Sequence, residues 1–230
     1  MKMVRKKKYI FSRGVAFYPE KEMQILKKMA EEGWLFRKMN QLGFLVFEKG
    51  EPEQKNFSVD FFDGSKEELS EYLVIYAQAG WENITNYKNK YFYFKAELDT
   101  PTIYSDPESY WLRMKKEWLW MLRNFWIYFP IGLILLGILL YTKETNNLIL
   151  ANSIFRIVLT FVGMFFVALP LGVVVSVLFS LVFYRDRTKY YNHPERFAKR
   201  QKVMRDSLFL GAIGFVLGVM ISLILGETIY

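Results

Sequence analysis

The chain of 230 residues has no cysteine and a single histidine. The first absence removes disulfides, thiolate metal sites and thiol nucleophiles at once, and it is compatible with a reducing cytosol. The second leaves little for general acid–base chemistry, because His193 sits beside Pro194 in a basic loop with no partner at a catalytic spacing. A third absence is of charge. No Asp, Glu, Lys, Arg or His interrupts residues 124–142, 157–184 or 207–226. Each stretch reaches the roughly 20 residues that carry a helix across about 30 Å of hydrocarbon, so the sequence predicts three transmembrane helices. Ion pathways and proton relays place ionisable groups inside the bilayer, and these uncharged spans argue against a transporter or pump. Pro170 in the second span, 28 uncharged residues long, predicts a kink, a tilt or an interfacial end.

Charge outside the spans sets their orientation. Between Tyr184 and Ser207 the chain has eight Lys and Arg against three Asp and Glu, a balance of +5. Basic short loops are retained in the cytoplasm, which places this loop inside together with the amino terminus and puts the carboxyl terminus outside a bacterial cell membrane. The net charge of +8 does not call for nucleic acid: residues 1–106 hold 17 basic and 16 acidic residues, and the remaining +7 flanks the membrane. Attraction of the basic loop to anionic headgroups accounts for it. Met1 to Lys8 is basic but leads into no signal-peptide core, so the first span is expected to be the targeting signal.

The region before the membrane repeats itself at an offset of 47 residues. Ile25 falls on Tyr72, Leu26 on Leu73, Met29 on Tyr76, Ala30 on Ala77, Gly33-Trp34 on Gly80-Trp81, Phe44 on Tyr91 and Phe47 on Phe94. Each copy reads as strand, helix, strand, strand. Helices are predicted from Pro19 to Glu32 and from Lys66 to Ala79, where apolar residues recur with a helical period. Pro19 suits a first helical position, Ser65 with Glu68 a capping box, and Gly33 and Gly80 the left-handed residue at a helix end. Strands are expected at 8–11, 34–40, 43–49, 56–62, 81–87 and 90–95. The fold class is α+β: a tandem βαββ repeat forming a ferredoxin-like two-layer sandwich over residues 1–97. A linker and amphipathic helix follow over 98–123, then a bundle of three membrane helices over 124–226.

The residues Glu22, Leu26, Met29-Ala30, Gly33-Trp34, Phe47-Glu48-Lys49, Pro52, Asp60, Gly80-Trp81-Glu82, Phe94 and Lys95 carry a resemblance. Over residues 8 to 97 the chain resembles a bacterial family known only as a domain of unknown function. Its members are common in Gram-positive bacteria, carry membrane helices after the domain and are often encoded beside PadR-type transcriptional regulators. The family has no assigned catalytic residues, and the resemblance implies a membrane-bound accessory or regulatory role.

Particular side chains sharpen that expectation. Tyr91 and Tyr93 alternate with Phe92 and Phe94, so one aromatic face of that strand is expected to pack and the other, Tyr91 and Tyr93, to line an open partner-binding surface. Trp34 and Trp81 are expected to pack rather than to form a ligand cleft. Glu20, Glu22, Glu31, Glu32, Glu67, Glu68 and Glu71 read as solvated helix faces. Trp111, Met114, Trp118 and Met121 fall on one face of a helix over 108–123, and Trp111, Trp118, Trp120 and Trp126 are expected at the membrane interface with Lys and Arg towards phosphate. Two stripes of small residues, Ala168, Gly172, Ser176 and Ser180, and Gly214, Gly218, Ser222 and Gly226, are expected to pack helices within the chain or across a homodimer. With no organised set of nucleophiles or metal ligands, no catalytic residue, cofactor or metal is expected. The function expected is a non-enzymatic sensor, adaptor or regulatory protein with an unidentified protein partner. An envelope-stress or bacteriocin and antimicrobial-peptide immunity protein acting through the membrane bundle is the alternative.

Overall fold

The computed structural model describes residues 6–16, 18–144, 153–183, 185–192 and 196–198. The chain divides into two units, one built on residues 1–105 with 189–230 and the other on Asp106–Thr188. In the first, β1 (Lys7–Phe11), α1 (Pro19–Glu31), β2 (Trp34–Met39) and β3 (Phe44–Lys49) precede β4 (Asn56–Phe61), α2 (Leu69–Gln78), β5 (Glu82–Tyr87) and β6 (Tyr91–Ala96). All pairings are antiparallel, in the orders β1-β3-β2 and β4-β6-β5. The class is α+β as expected, with two three-stranded sheets where a ferredoxin-like sandwich has one of four strands. Both sheets slip register at matching places, between Phe36 and Lys38 on β2 and between Asn83 and Thr85 on β5.

Local chemistry explains the helix ends. Pro19 opens α1. Before α2, the Ser65 backbone N–H donates to Glu68 Oε2 at 2.8 Å while the Glu68 N–H donates to Ser65 Oγ at 3.4 Å, the reciprocal pair of a capping box. Gly33 and Gly80, at φ +76° and +86°, turn the chain out of the helices through a region where a Cβ is strained. The β5–β6 hairpin uses Lys88 and Asn89, both at positive φ, which matches the right-handed twist of its strands.

The two helices are buried very differently. Glu22, Leu26 and Ala30 of α1 are fully enclosed, and the helix lies against β2 and also against β4 of the second sheet. Phe36 of β2 meets Tyr93 of β6 with ring centroids 5.0 Å apart, so α1 fills a core bounded by both sheets. In contrast, α2 has no fully buried residue. Its Leu69, Tyr72, Leu73 and Tyr76 rest on Phe62, Trp81, Phe92, Phe94 and Ala96, while Val74 and Ile75 are 52% and 57% exposed.

The second unit comprises α3 (Pro107–Trp126), α4 (Tyr128–Glu144), α5 (Ser153–Phe183) and the start of a 3-10 turn over Arg185–Tyr190. The helices α4 and α5 run antiparallel: Arg156 Nη2 donates to the Leu139 carbonyl at 3.2 Å, and a Cβ on Gly132 would come within 2.8 Å of the Gly163 carbonyl oxygen. Two segments, Pro107–Tyr141 and Phe155–Phe183, are long and apolar enough to cross a membrane, with mean hydropathies of 1.8 and 2.6. Two such helices therefore stand among the described residues. The third expected span, 207–226, lies outside them, as do Gly214, Gly218, Ser222, Gly226 and His193.

Candidate functional site

Successive residues of β4 face opposite ways, and Asp60 points to the side where α2 lies. Only 6% exposed, it gathers donors from two further segments. Its Oδ2 accepts from the Tyr72 hydroxyl at 3.0 Å and the Tyr76 hydroxyl at 2.7 Å, one helical turn apart on α2. Its Oδ1 accepts from the Tyr104 hydroxyl and from the Phe61 backbone N–H. Burial, reinforced by the Asp60 charge, pushes the Tyr72 phenol far above its usual range, so it remains a proton donor. Tyr104 stands two residues before Asp106, whose side chain caps α3 by accepting from the Ser109 N–H at 2.8 Å. One carboxylate thus ties α2 to the segment that leads into α3.

A second buried acid lies inside the shared core. Glu22 Oε2 accepts from the Ser12 hydroxyl and, at 3.2 Å, from the Arg13 N–H, while Oε1 accepts from the Tyr93 hydroxyl at 2.7 Å. Burial raises its carboxyl above the usual 4.5 even though all three bonds act to lower it. The expectation of a solvated acidic face is corrected here. Glu20 and Glu22 are buried because α1 is covered on two sides, whereas Glu31, Glu32, Glu67, Glu68 and Glu71 are exposed.

The expected open surface on β6 is also corrected. Tyr91 and Tyr93 are 6% and 0% exposed. Phe92 and Phe94 pack under α2, with Tyr76 stacked on Phe94 at 4.5 Å, and the first βαββ repeat covers the opposite face with Phe36 of β2 and Glu22 of α1. Both faces of the strand are therefore core. Trp81 is buried and its Nε1 donates to the Pro101 carbonyl at 3.0 Å, in keeping with a packing role. Trp34 is half-buried beneath the ammonium groups of Lys8 and Lys49, 5.4 and 5.1 Å from its ring.

In the second unit, α3 hides charge that the sequence suggested would face phosphate. Arg113 and Glu117, one turn apart, form a buried pair at 2.9 Å, and the buried Arg187 guanidinium lies 5.7 Å from the Tyr110 ring. Trp111, Trp120 and Trp126 retain exposure, but Trp118 is buried, meeting Trp111 edge-on at 5.7 Å. The reason is that α3 packs along α5, so the stripe containing Trp118 faces a helix. In the stripe of small residues on α5, Ser180 is buried, Ser176 is half-buried, and Ala168 and Gly172 are exposed. Close approach of α4 and α5 uses Gly132 and Gly163 instead, lone glycines that belong to no four-residue pattern. Among the described residues no three His, Cys, Asp or Glu side chains gather as a metal-ligand set.

No curated protein and no solved structure matches the chain. Residues 18–129 match the model of the family described as a protein of unknown function, DUF2812. The matched segment, just under half of the chain, takes in Glu22, Asp60, all of α2 and all of α3, and over it the chain is similar to the DUF2812 family.

Proposed function

We propose that this protein is a membrane-anchored, non-enzymatic regulatory or adaptor protein, in which a cytosolic domain passes its state to the segment entering the membrane. The observation that carries the reading is the Asp60 network, where Tyr72 and Tyr76 of α2 and Tyr104 of the linker share one carboxylate. A change at α2 that frees or tightens those hydroxyls alters the tether of Tyr104, three residues before Pro107 opens α3. Domain and anchor then communicate through covalent continuity and a few hydrogen bonds.

The anchor reading is supported by how little of the two apolar windows is buried, 11% and 17%, which suits helices that face lipid more than core helices of a soluble protein. An antiparallel α4–α5 pair returns the chain to its starting side, so the basic flanks at 113–123 and 185–205 share one leaflet, the cytoplasmic one by the positive-inside rule. With a third span over 207–226 the protein is multi-pass and its carboxyl terminus extracytoplasmic. Recurrence of the helix-ending glycines and the strand irregularity at a 47-residue spacing supports duplication of one βαββ unit.

Proximity labelling from a ligase fused to the amino terminus in native membranes tests the reading. A defined set of cytosolic neighbours is expected, with labelling that changes several-fold in Tyr104→Phe. Identical labelling by both proteins, or no neighbour above background, overturns the proposed coupling. Reporters placed near Asp99 and after Asn192 are both expected in the cytoplasm, and either one outside overturns the topology.

A further inference from the structure

The first sheet has a bare back. Along β1 the residues Lys7, Tyr9 and Phe11 face away from the core, and the two aromatics are 56% and 63% exposed. The ladder pairs Tyr9 with Val46 and Phe11 with Phe44, and Phe11 meets Phe44 edge-on at 5.4 Å. Lys38 of β2, also opposite Val46, stands exposed on the same face.

The second sheet has the same face, and there it is covered. Phe61 pairs with Tyr91, which lies 47 residues after Phe44, and the two rings meet at the same 5.4 Å, again edge-on. Val59 occupies the place of Tyr9, two residues before that pair. Yet Val59, Phe61, Tyr91 and Tyr93 are all buried, because α1 lies against β4 and Phe36 against Tyr93. One sheet back therefore seats on one helix within the chain.

The other sheet back and the other helix are left open. By repeat position α2 corresponds to α1, and its outer side presents Val74 and Ile75 with exposed Glu67 and Glu71. The bare back of the first sheet presents aromatic surface with exposed Lys7 and Lys38. Shape class and charge sign are complementary.

We propose that the back of the first sheet receives α2 of a second copy of this chain, repeating between molecules the joint that β4 and α1 make within one. The contact is heterologous: the patch that binds differs from the patch that is bound. Joined head to tail, a pair leaves one sheet back and one α2 free, so further chains extend it into a row. This joint does not rest on the regulatory reading, and it can fail while that reading and its topology stand.

Because the chain lacks cysteine, an introduced thiol is unambiguous. Full-length Tyr9→Cys and Val74→Cys proteins carrying different tags are co-expressed, and native membranes are treated with a short bis-maleimide. The expected result is a product bearing both tags, several-fold stronger than the product from either variant alone. Lys7→Glu with Lys38→Glu in the first chain should reduce it several-fold, and Glu67→Lys with Glu71→Lys in the second chain should restore it. All six positions are exposed, so protease resistance of the uncrosslinked protein should stay unchanged. A Tyr9→Cys self-product as strong as the mixed one would mean that the sheets meet face to face, and it overturns the proposal. So does protection of Cys at position 9 from a water-soluble maleimide without any mixed product, as a lipid surface or another protein on that face would give.

Discussion

Replacing Asp60 by Ala removes the acceptor for three tyrosine hydroxyls without enlarging any side chain. Hydrogen bonds to a charged group contribute about 1.5–3 kcal/mol each when well buried, and less where the donor can return to water. Tyr72, Tyr76 and Tyr104 are only half-buried, which brings the three together to about 3 kcal/mol. That loss falls on α2 in particular, because α2 is packed on one side and has no fully buried residue. Hydrogen exchange on the full-length protein in detergent reads local opening directly. With about 1.4 kcal/mol for each tenfold, the amides of α2 should exchange about 100-fold faster in Asp60→Ala, and those of β3 by less than about threefold. Asp60→Asn, whose amide has one accepting oxygen, should fall between wild type and Ala, and Tyr104→Phe should cost α2 only about fivefold. Unchanged exchange in α2 would show that the network carries no stability. Equal acceleration in α2 and β3 would show that α2 is not a separately opening element, and the reasoning would fail in that case too.

Three other substitutions probe the core and the helix ends. Glu22 has a carboxyl raised by burial, so the folded state favours its protonated form: its contribution is complete below the usual 4.5 and is lost as pH rises through the raised value. Glu22→Gln cannot gain charge, and in urea titrations the stability of wild type relative to Glu22→Gln should fall as pH rises above the usual 4.5 and level off once the raised value is passed, wild type gaining on Glu22→Gln with rising pH being the contrary result. Gly33 and Gly80 both hold positive φ, but a Cβ on Gly33 would meet the Gly50 carbonyl oxygen at 2.9 Å, whereas one on Gly80 would meet Thr100 Cγ2 at 3.2 Å. A side-chain methyl can rotate aside and a backbone carbonyl cannot, so Gly33→Ala should cost about 2 kcal/mol and Gly80→Ala about 1 kcal/mol, and equal losses in melting temperature would contradict the ranking.

What the sequence showed plainly was whatever depends on near neighbours. The helix ends at Gly33 and Gly80, the Ser65–Glu68 cap and the alternation along β6 are set by residues a few positions apart. What it hid depends on which element lies across from which. Alternation separates Tyr91 and Tyr93 from Phe92 and Phe94 but is silent on what covers each side, and here the cover comes from α1, some 60 to 70 residues earlier. Glu22 looked like any surface acid for the same reason: its partners Ser12 and Tyr93 lie in distant segments. Tyr72 and Tyr76, one turn apart, were a visible signal of a shared partner, and only the placement of β4 beside α2 identifies it as Asp60. In the second unit, four-residue spacing pointed to Ala168 and Gly172, while the close approach goes through Gly132 and Gly163, which a spacing rule passes over.

That α1 is enclosed by both sheets has a bearing on synthesis. The Glu22 carboxylate waits for the hydroxyl of Tyr93, 71 residues downstream, and β4 must emerge before the second side of the helix is closed. At about 5–20 residues per second, a ribosome takes about 4 to 14 s to deliver that partner. Over that interval the nascent first βαββ repeat exposes a helix face that accepts the back of a three-stranded sheet. On a polysome, neighbouring chains at later stages offer such sheets, so the timing of translation through residues 50–96 bears on whether α1 is closed by its own chain or by another.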